Sequence, residues 1–175
     1  MEHFLSLLSK CGIETLVDVR SKPYSRFCSH FRKKPFREKL EGLGIRYLFM
    51  GDRLGGLPTD ESFYDDEGYV LYSRMAESPE FKDGLEHLVK LATESVTAIM
   101  CGEEDPSACH RRLLVGRVLH RQGISVKHIR KNGEIQIEDD APDDDSSQAS
   151  LFGSGKGDEW KSRKPVAGRG SRTRS

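Results

Sequence analysis

The chain has 175 residues, with 28 lysines and arginines against 28 aspartates and glutamates and a formal net charge of zero. That length suits one domain with a core of ordinary size, and the balanced total excludes a protein that recruits a polyanion by overall charge. Four cysteines are too few for a disulfide-built secreted scaffold, and the opening MEHFLSLLSKCG has an acid where a signal peptide has cations, so reduced thiols, a cytoplasmic location and no membrane span are expected.

Phe4, Leu5, Leu7 and Leu8 fit a short helix that Gly12 ends, and TLVDV at 15–19 reads as a strand. Between 20 and 39 stand Arg20, Lys22, Arg26, Arg32, Lys33, Lys34, Arg37 and Lys39 against Glu38 alone. This excess is either a solvated basic loop or a face for phosphates. Pro35 opens a helix bearing Phe36, Leu40 and Leu43, Gly44 closes it, and IRYLFM at 45–50 is the second strand. Residues 51–72, with GDRLGGLP and an acidic, tyrosine-bearing piece, are too long for a plain connector and are therefore functional or poorly ordered.

Ser78 and Pro79 start a helix whose buried stripe is Phe81, Leu85, Leu88, Leu91 and Ala92, and VTAIMC follows as the third strand. Leu113, Leu114, Val118 and Leu119 mark a helix stopped by Gly123, SVKHI at 125–129 is a fourth strand, and Asn132 with Gly133 makes a tight turn into EIQIE. Strands alternating with helices imply an α/β fold: a mostly parallel sheet with helices on both faces and an antiparallel hairpin at one edge. From Asp139 the composition becomes acidic, then serine- and glycine-rich, then basic. The chain thus divides into an α/β domain at 1–138 and a disordered tail at 139–175. No Walker-type loop, GxGxxG or GxSxG motif is present, so nucleotide triphosphate hydrolysis and serine hydrolase chemistry lack support.

The densest chemistry is CGEEDPSACHRR, Cys101 to Arg112, at a strand-to-helix corner. In open α/β sheets ligands bind in loops beyond the carboxyl ends of strands. Cys101 points either into the core or into the crevice. Cys109, with Ser107 as N-cap, falls in the first helical turn, where amide hydrogens and the dipole favour a thiolate. Arg111 and Arg112 near a helix start call for a negative partner, either Glu103, Glu104 or Asp105 or a bound anion. His110 is a proton-transfer group, a metal ligand or a surface hydrogen-bonding residue. Cys101, Glu103, Cys109 and His110 form a conceivable zinc set, but their spacing is not that of a knuckle or ribbon, and no metal ligand or cofactor is assigned.

A second constellation, VDVRSKPYSR, places Asp18 inside the first strand, Arg20 at its end, and Ser25 and Arg26 after Pro23. In a parallel sheet Arg20 and Cys101 emerge on one edge, so the two loops converge. Asp18 is either part of the site or paired with Arg20 or Arg26. Gly55 and Gly56 permit close approach or simply turn the chain.

LVDVRSKPYSR, GIRY followed by LGG, and MCGEEDPSACHRR together resemble the domain of unknown function 488 family over roughly residues 3–130. The resemblance implies an α/β domain with a shared site at Asp18, Arg20, Pro23, Ser25, Arg26, Gly55, Gly56, Cys101, Glu103, Cys109, His110 and Arg111, and no established reaction. Family members begin with a further strand ending in a Gly-His-Ser type segment, which this chain, starting at Met1 almost on the helix, does not show. A looser topological likeness is to rhodanese-type sulfurtransferases. There the anion loop wants an arginine close behind the cysteine, whereas here three acids follow Cys101 and the first arginine comes ten residues later.

The leading expectation is an enzyme-like site for a phosphate-bearing ligand, a nucleotide or nucleic-acid end, held by Arg20, Arg26 and Arg111. Cys101 or Cys109 acts as nucleophile or ligand, and His110 and Glu103 handle protons. The alternatives are a non-catalytic metal or redox module of Cys101, Cys109 and His110, and a nucleic-acid-binding module without chemistry that uses the basic 20–39 stretch and the basic tail. Oligomeric state is left open.

Overall fold

A computed structural model describes residues 1–24, 28–138 and 160–168. Helix α1 (Glu2–Lys10) leads through Gly12, at φ 64°, into strand β1 (Thr15–Asp18). Helix α2 (Lys33–Glu41) precedes β2 (Arg46–Phe49), and α3 (Tyr72–Glu77) and α4 (Pro79–Glu94) precede β3 (Thr97–Met100). Ser78 caps α4, its hydroxyl accepting from the Phe81 amide at 3.3 Å, and Pro79 occupies the first turn, where its missing N–H costs nothing.

The sheet is parallel, in order β2-β1-β3. Strand β1 is central and wholly buried, as parallel neighbours on both sides require. Its successive side chains serve opposite faces. Leu16 joins Leu5 and Leu8 of α1 and Phe36 and Leu40 of α2 in one core. Val17 joins Phe81, Leu85, Leu88 and Leu91 of α4 in the other. Asp18 is level with Phe49 on one side and Met100 on the other, so the loops after all three strands leave from one edge.

Beyond β3 a π-helix (Arg111–Gly116) runs into α5 (Arg117–Arg121), and Gly123 ends it at φ 76°. The hairpin of β4 (Lys127–Ile129) and β5 (Ile135–Ile137) is a two-stranded sheet of its own. The fourth strand expected in SVKHI therefore pairs with β5 and does not extend the parallel sheet. Side chains explain the placement: Glu138 joins both Arg112 and His128, and Glu104 takes two hydrogen bonds from Arg130 at 3.0 Å each, tying the hairpin to the corner loop.

Two long segments are better ordered than their composition implies. Within 51–72, Leu54 and Val70 are completely buried, and Asp60 caps a short 3-10 turn by accepting from the Ser62 amide at 2.8 Å. Residues 160–168 depart from the expectation of a tail disordered from Asp139. Trp160 is buried, its indole N–H donating to the Leu113 carbonyl at 3.0 Å and the guanidiniums of Arg117 and Arg121 lying over its ring. The Val70 amide donates to Ser162 Oγ at 3.0 Å, and the Ser162 amide returns to the Val70 carbonyl at 2.9 Å. One tryptophan buries about 150–250 Å², enough to dock a stretch whose average composition is polar.

Candidate functional site

Parallel register sets the site. Because Asp18 and Met100 are paired neighbours, Arg20 and Cys101 emerge side by side, and the two loops do meet. The joint is His110, whose Nε2 lies 3.0 Å from the Val19 carbonyl at the end of β1. A carbonyl only accepts, so Nε2 carries the proton and Nδ1 holds the lone pair. Burial drives the His110 pKa down to about 4, against the raising effect of that hydrogen bond, and the ring is neutral at pH 7.

The thiols lie together. Sγ of Cys101 and Sγ of Cys109 are in bonding contact across eight residues of chain, where two independent reduced thiols were expected. Cys101 Sγ lies 3.2 Å from Glu103 Oε2, and the amides of Glu103 and Arg111 lie 3.5 and 3.4 Å from the Cys101 and Cys109 sulfurs. Together Cys101, Glu103, Cys109 and His110 present ligand-type atoms all within 4.8 Å of one another. Cys109 is not in a first helical turn. It is extended, at φ −103° and ψ 138°, between a 3-10 turn (Pro106–Ala108) and the π-helix, and only 1% exposed. Asp105, not Ser107, caps that turn, accepting from the Ser107 amide at 2.9 Å.

The arginines are more committed than the thiols. Arg20 grips Asp18 with Nε at 2.8 Å and Nη2 at 2.6 Å, and Tyr47 donates to the same carboxylate at 2.6 Å. Burial alone would lower the Arg20 pKa, yet the Asp18 carboxylate outweighs it and the guanidinium is held above its ordinary value. Burial, then the hydrogen bond to Asp18, pushes the Tyr47 phenol up. Asp18 is thus the buried ion-pair partner of Arg20. Arg112 pairs with Glu138, outside the corner loop. Arg111 points its Nη atoms at the carbonyls of Glu103 and Glu104, at 3.4 and 3.2 Å, while its buried Nε has no partner among the described residues. Burial lowers its pKa, with Glu103 and Glu104 opposing. Ser25 and Arg26 lie outside the described residues.

Gly55 and Gly56 have a steric reason. A Cβ on Gly56 would stand 2.6 Å from His110 Cγ and 2.7 Å from its Cβ, and one on Gly55 would overlap Ser21 Oγ and the Gly51 carbonyl. Gly51, absent from the sequence-based set, is equally constrained, because its Cβ would overlap the Arg20 carbonyl. Tyr47 and Glu138 were missed too. Tyr47 looked like an ordinary strand aromatic, although a tyrosine one strand over from a buried aspartate is a readable signal.

The family model described as a domain of unknown function, DUF488, matches residues 1–118. The chain belongs to the DUF488 family. No curated protein and no solved structure matches it. Among the described residues no helix is long and apolar enough to cross a membrane.

Proposed function

We propose that this protein is a thiol-centred module in which Cys101, Cys109 and His110 work as one unit, holding or exchanging a group at sulfur. The observation that carries this reading is the contact of the two sulfurs beside a neutral imidazole and a carboxylate, at the sheet edge where α/β proteins bind ligands. Sulfur chemistry is favoured over phosphate binding because Arg20 already holds Asp18 with two of its nitrogens, Nε and Nη2. The test is alkylation of the full chain, resolved by mass spectrometry at each cysteine. Cys101 and Cys109 are expected to react as a linked pair, with Cys101→Ser changing the rate at Cys109 at least about tenfold, as ligation or pairing shifts thiolate character. Four cysteines reacting independently would refute it.

A second reading, an anionic ligand such as a nucleotide or nucleic-acid end, is favoured by the buried Nε of Arg111, which has no partner among the described residues. On this reading Arg111 and Arg26 hold the phosphate, and Cys109 or Cys101 attacks or ligates. Binding of nucleotides and short oligonucleotides that weakens between low and moderate salt supports it. No binding at either removes it.

A further inference from the structure

We propose that the reduced corner is a zinc site of the closed, four-ligand kind, with Cys101, Glu103, Cys109 and His110 as its ligands. This rests on the thiol-centred reading and names the ligand of that site. Zinc bonds of about 2.0–2.3 Å keep tetrahedral ligands roughly 3.3–3.8 Å apart. Four atoms already gathered within 4.8 Å need only small side-chain rotations to surround one ion. The two sulfurs must separate to admit it, and the backbone allows this. The cysteine Cα atoms stand 7.6 Å apart, wider than the roughly 4.4–6.8 Å of ordinary disulfides.

The donor set selects the metal. Two thiolates, an imidazole and a carboxylate make a borderline-soft site, whereas magnesium and calcium take all-oxygen shells. Four protein ligands complete a tetrahedron and leave no position for an activated water, so the ion holds structure. It fastens the end of β3 to His110, which is itself anchored on β1. The outer partners suit this role. Val19 orients the imidazole through Nε2 and leaves Nδ1 to bind, and the Glu103 and Arg111 amides point at the two sulfurs. Two thiolates and a carboxylate exceed a dication by one negative charge. Arg111, whose buried Nε has no partner among the described residues and whose Nη1 lies 3.4 Å from the Glu103 carbonyl, offers a cation beside that excess. Binding releases two thiol protons to solvent and moves no electrons.

The test titrates the reduced full chain with zinc, then with cobalt as a spectroscopic substitute. One zinc per chain is expected, with cobalt showing thiolate charge-transfer absorption and the intense d–d bands of a tetrahedral site. Cys109 is buried, so its serine variant risks misfolding. Glu103 is exposed, and Glu103→Gln is expected to fold and to weaken zinc binding at least about tenfold, the lower bound even for outer partners of a metal. No stoichiometric uptake by the reduced chain, or uptake unchanged in both Cys101→Ser and Glu103→Gln, would overturn the zinc assignment. Cys101 and Cys109 remaining linked in alkylation without any zinc uptake would overturn it while leaving the thiol-centred reading intact. Independent alkylation with zinc bound elsewhere would overturn both.

Discussion

Gly56→Ala puts the most local demand on the site. The added Cβ would lie 2.6 Å from His110 Cγ, 2.7 Å from its Cβ and 3.0 Å from Nδ1. Gly56 is not among the positive-φ glycines, so the backbone accepts alanine and the cost is steric alone. Relief requires the imidazole to move, which breaks its hydrogen bond to Val19. Overpacking costs roughly 1–3 kcal/mol and a buried acceptor left unpaired roughly 1–3 more, offset by about 0.4–1 from lost unfolded-state freedom, for a net loss between roughly 1 and 5.6 kcal/mol. Gly102→Ala, in the corner loop that leads to His110, is the control: among the described residues nothing lies within 4 Å of its Cβ, and a change within about 0.5 kcal/mol is expected. Urea unfolding reads both, as a shift of midpoint at constant slope. Equal behaviour of the two variants would show that Gly56 does not seat the His110 ring.

Other outcomes follow from the same packing. Tyr47→Phe removes the 2.6 Å hydrogen bond to buried Asp18 and is expected to cost about 1.5–3 kcal/mol, because the acceptor is charged; a neutral result in urea unfolding would mean that water replaces the phenol. Trp160→Ala is expected to cost roughly 3 kcal/mol. Trp160 is the single tryptophan, so wild-type emission should shift to the red on unfolding, and a native spectrum already typical of exposed indole would contradict docking of residues 160–168. His110 is held at about 4 against an ordinary 6.5, so the unfolded chain binds more protons between those values. In chelator its contribution is complete above pH 6.5 and falls by about 3 kcal/mol as pH drops toward 4. The difference in stability between wild type and His110→Gln should shrink over that range, and a difference independent of pH would refute the burial assigned to the ring.

The parallel sheet and its two helical faces were legible because TLVDV, IRYLFM and VTAIMC are short apolar runs separated by helical periods with glycine stops. The convergence of Arg20 and Cys101 followed from parallel direction alone. Side-chain commitments did not follow. Arg20 turns to Asp18, whose carboxylate Tyr47 also reaches from the neighbouring strand, and the sequence of the first strand alone leaves that choice open. The pairing of Cys101 with Cys109 was hidden by their spacing of eight residues, because it arises from the fold-back of 102–108 and not from a local ligand motif. Trp160 was hidden by dilution, a single buried ring in a polar stretch.

Whether Cys101 and Cys109 form one unit is decided by a double-mutant cycle on unfolding free energy with Cys101→Ala, Cys109→Ala and both together. A coupling of at least about 1 kcal/mol is expected, with Cys11→Ala additive to either as the control. Additivity of the Cys101 and Cys109 changes within about 0.5 kcal/mol would mean that the two sulfurs act separately and that the corner is not a thiol-centred unit.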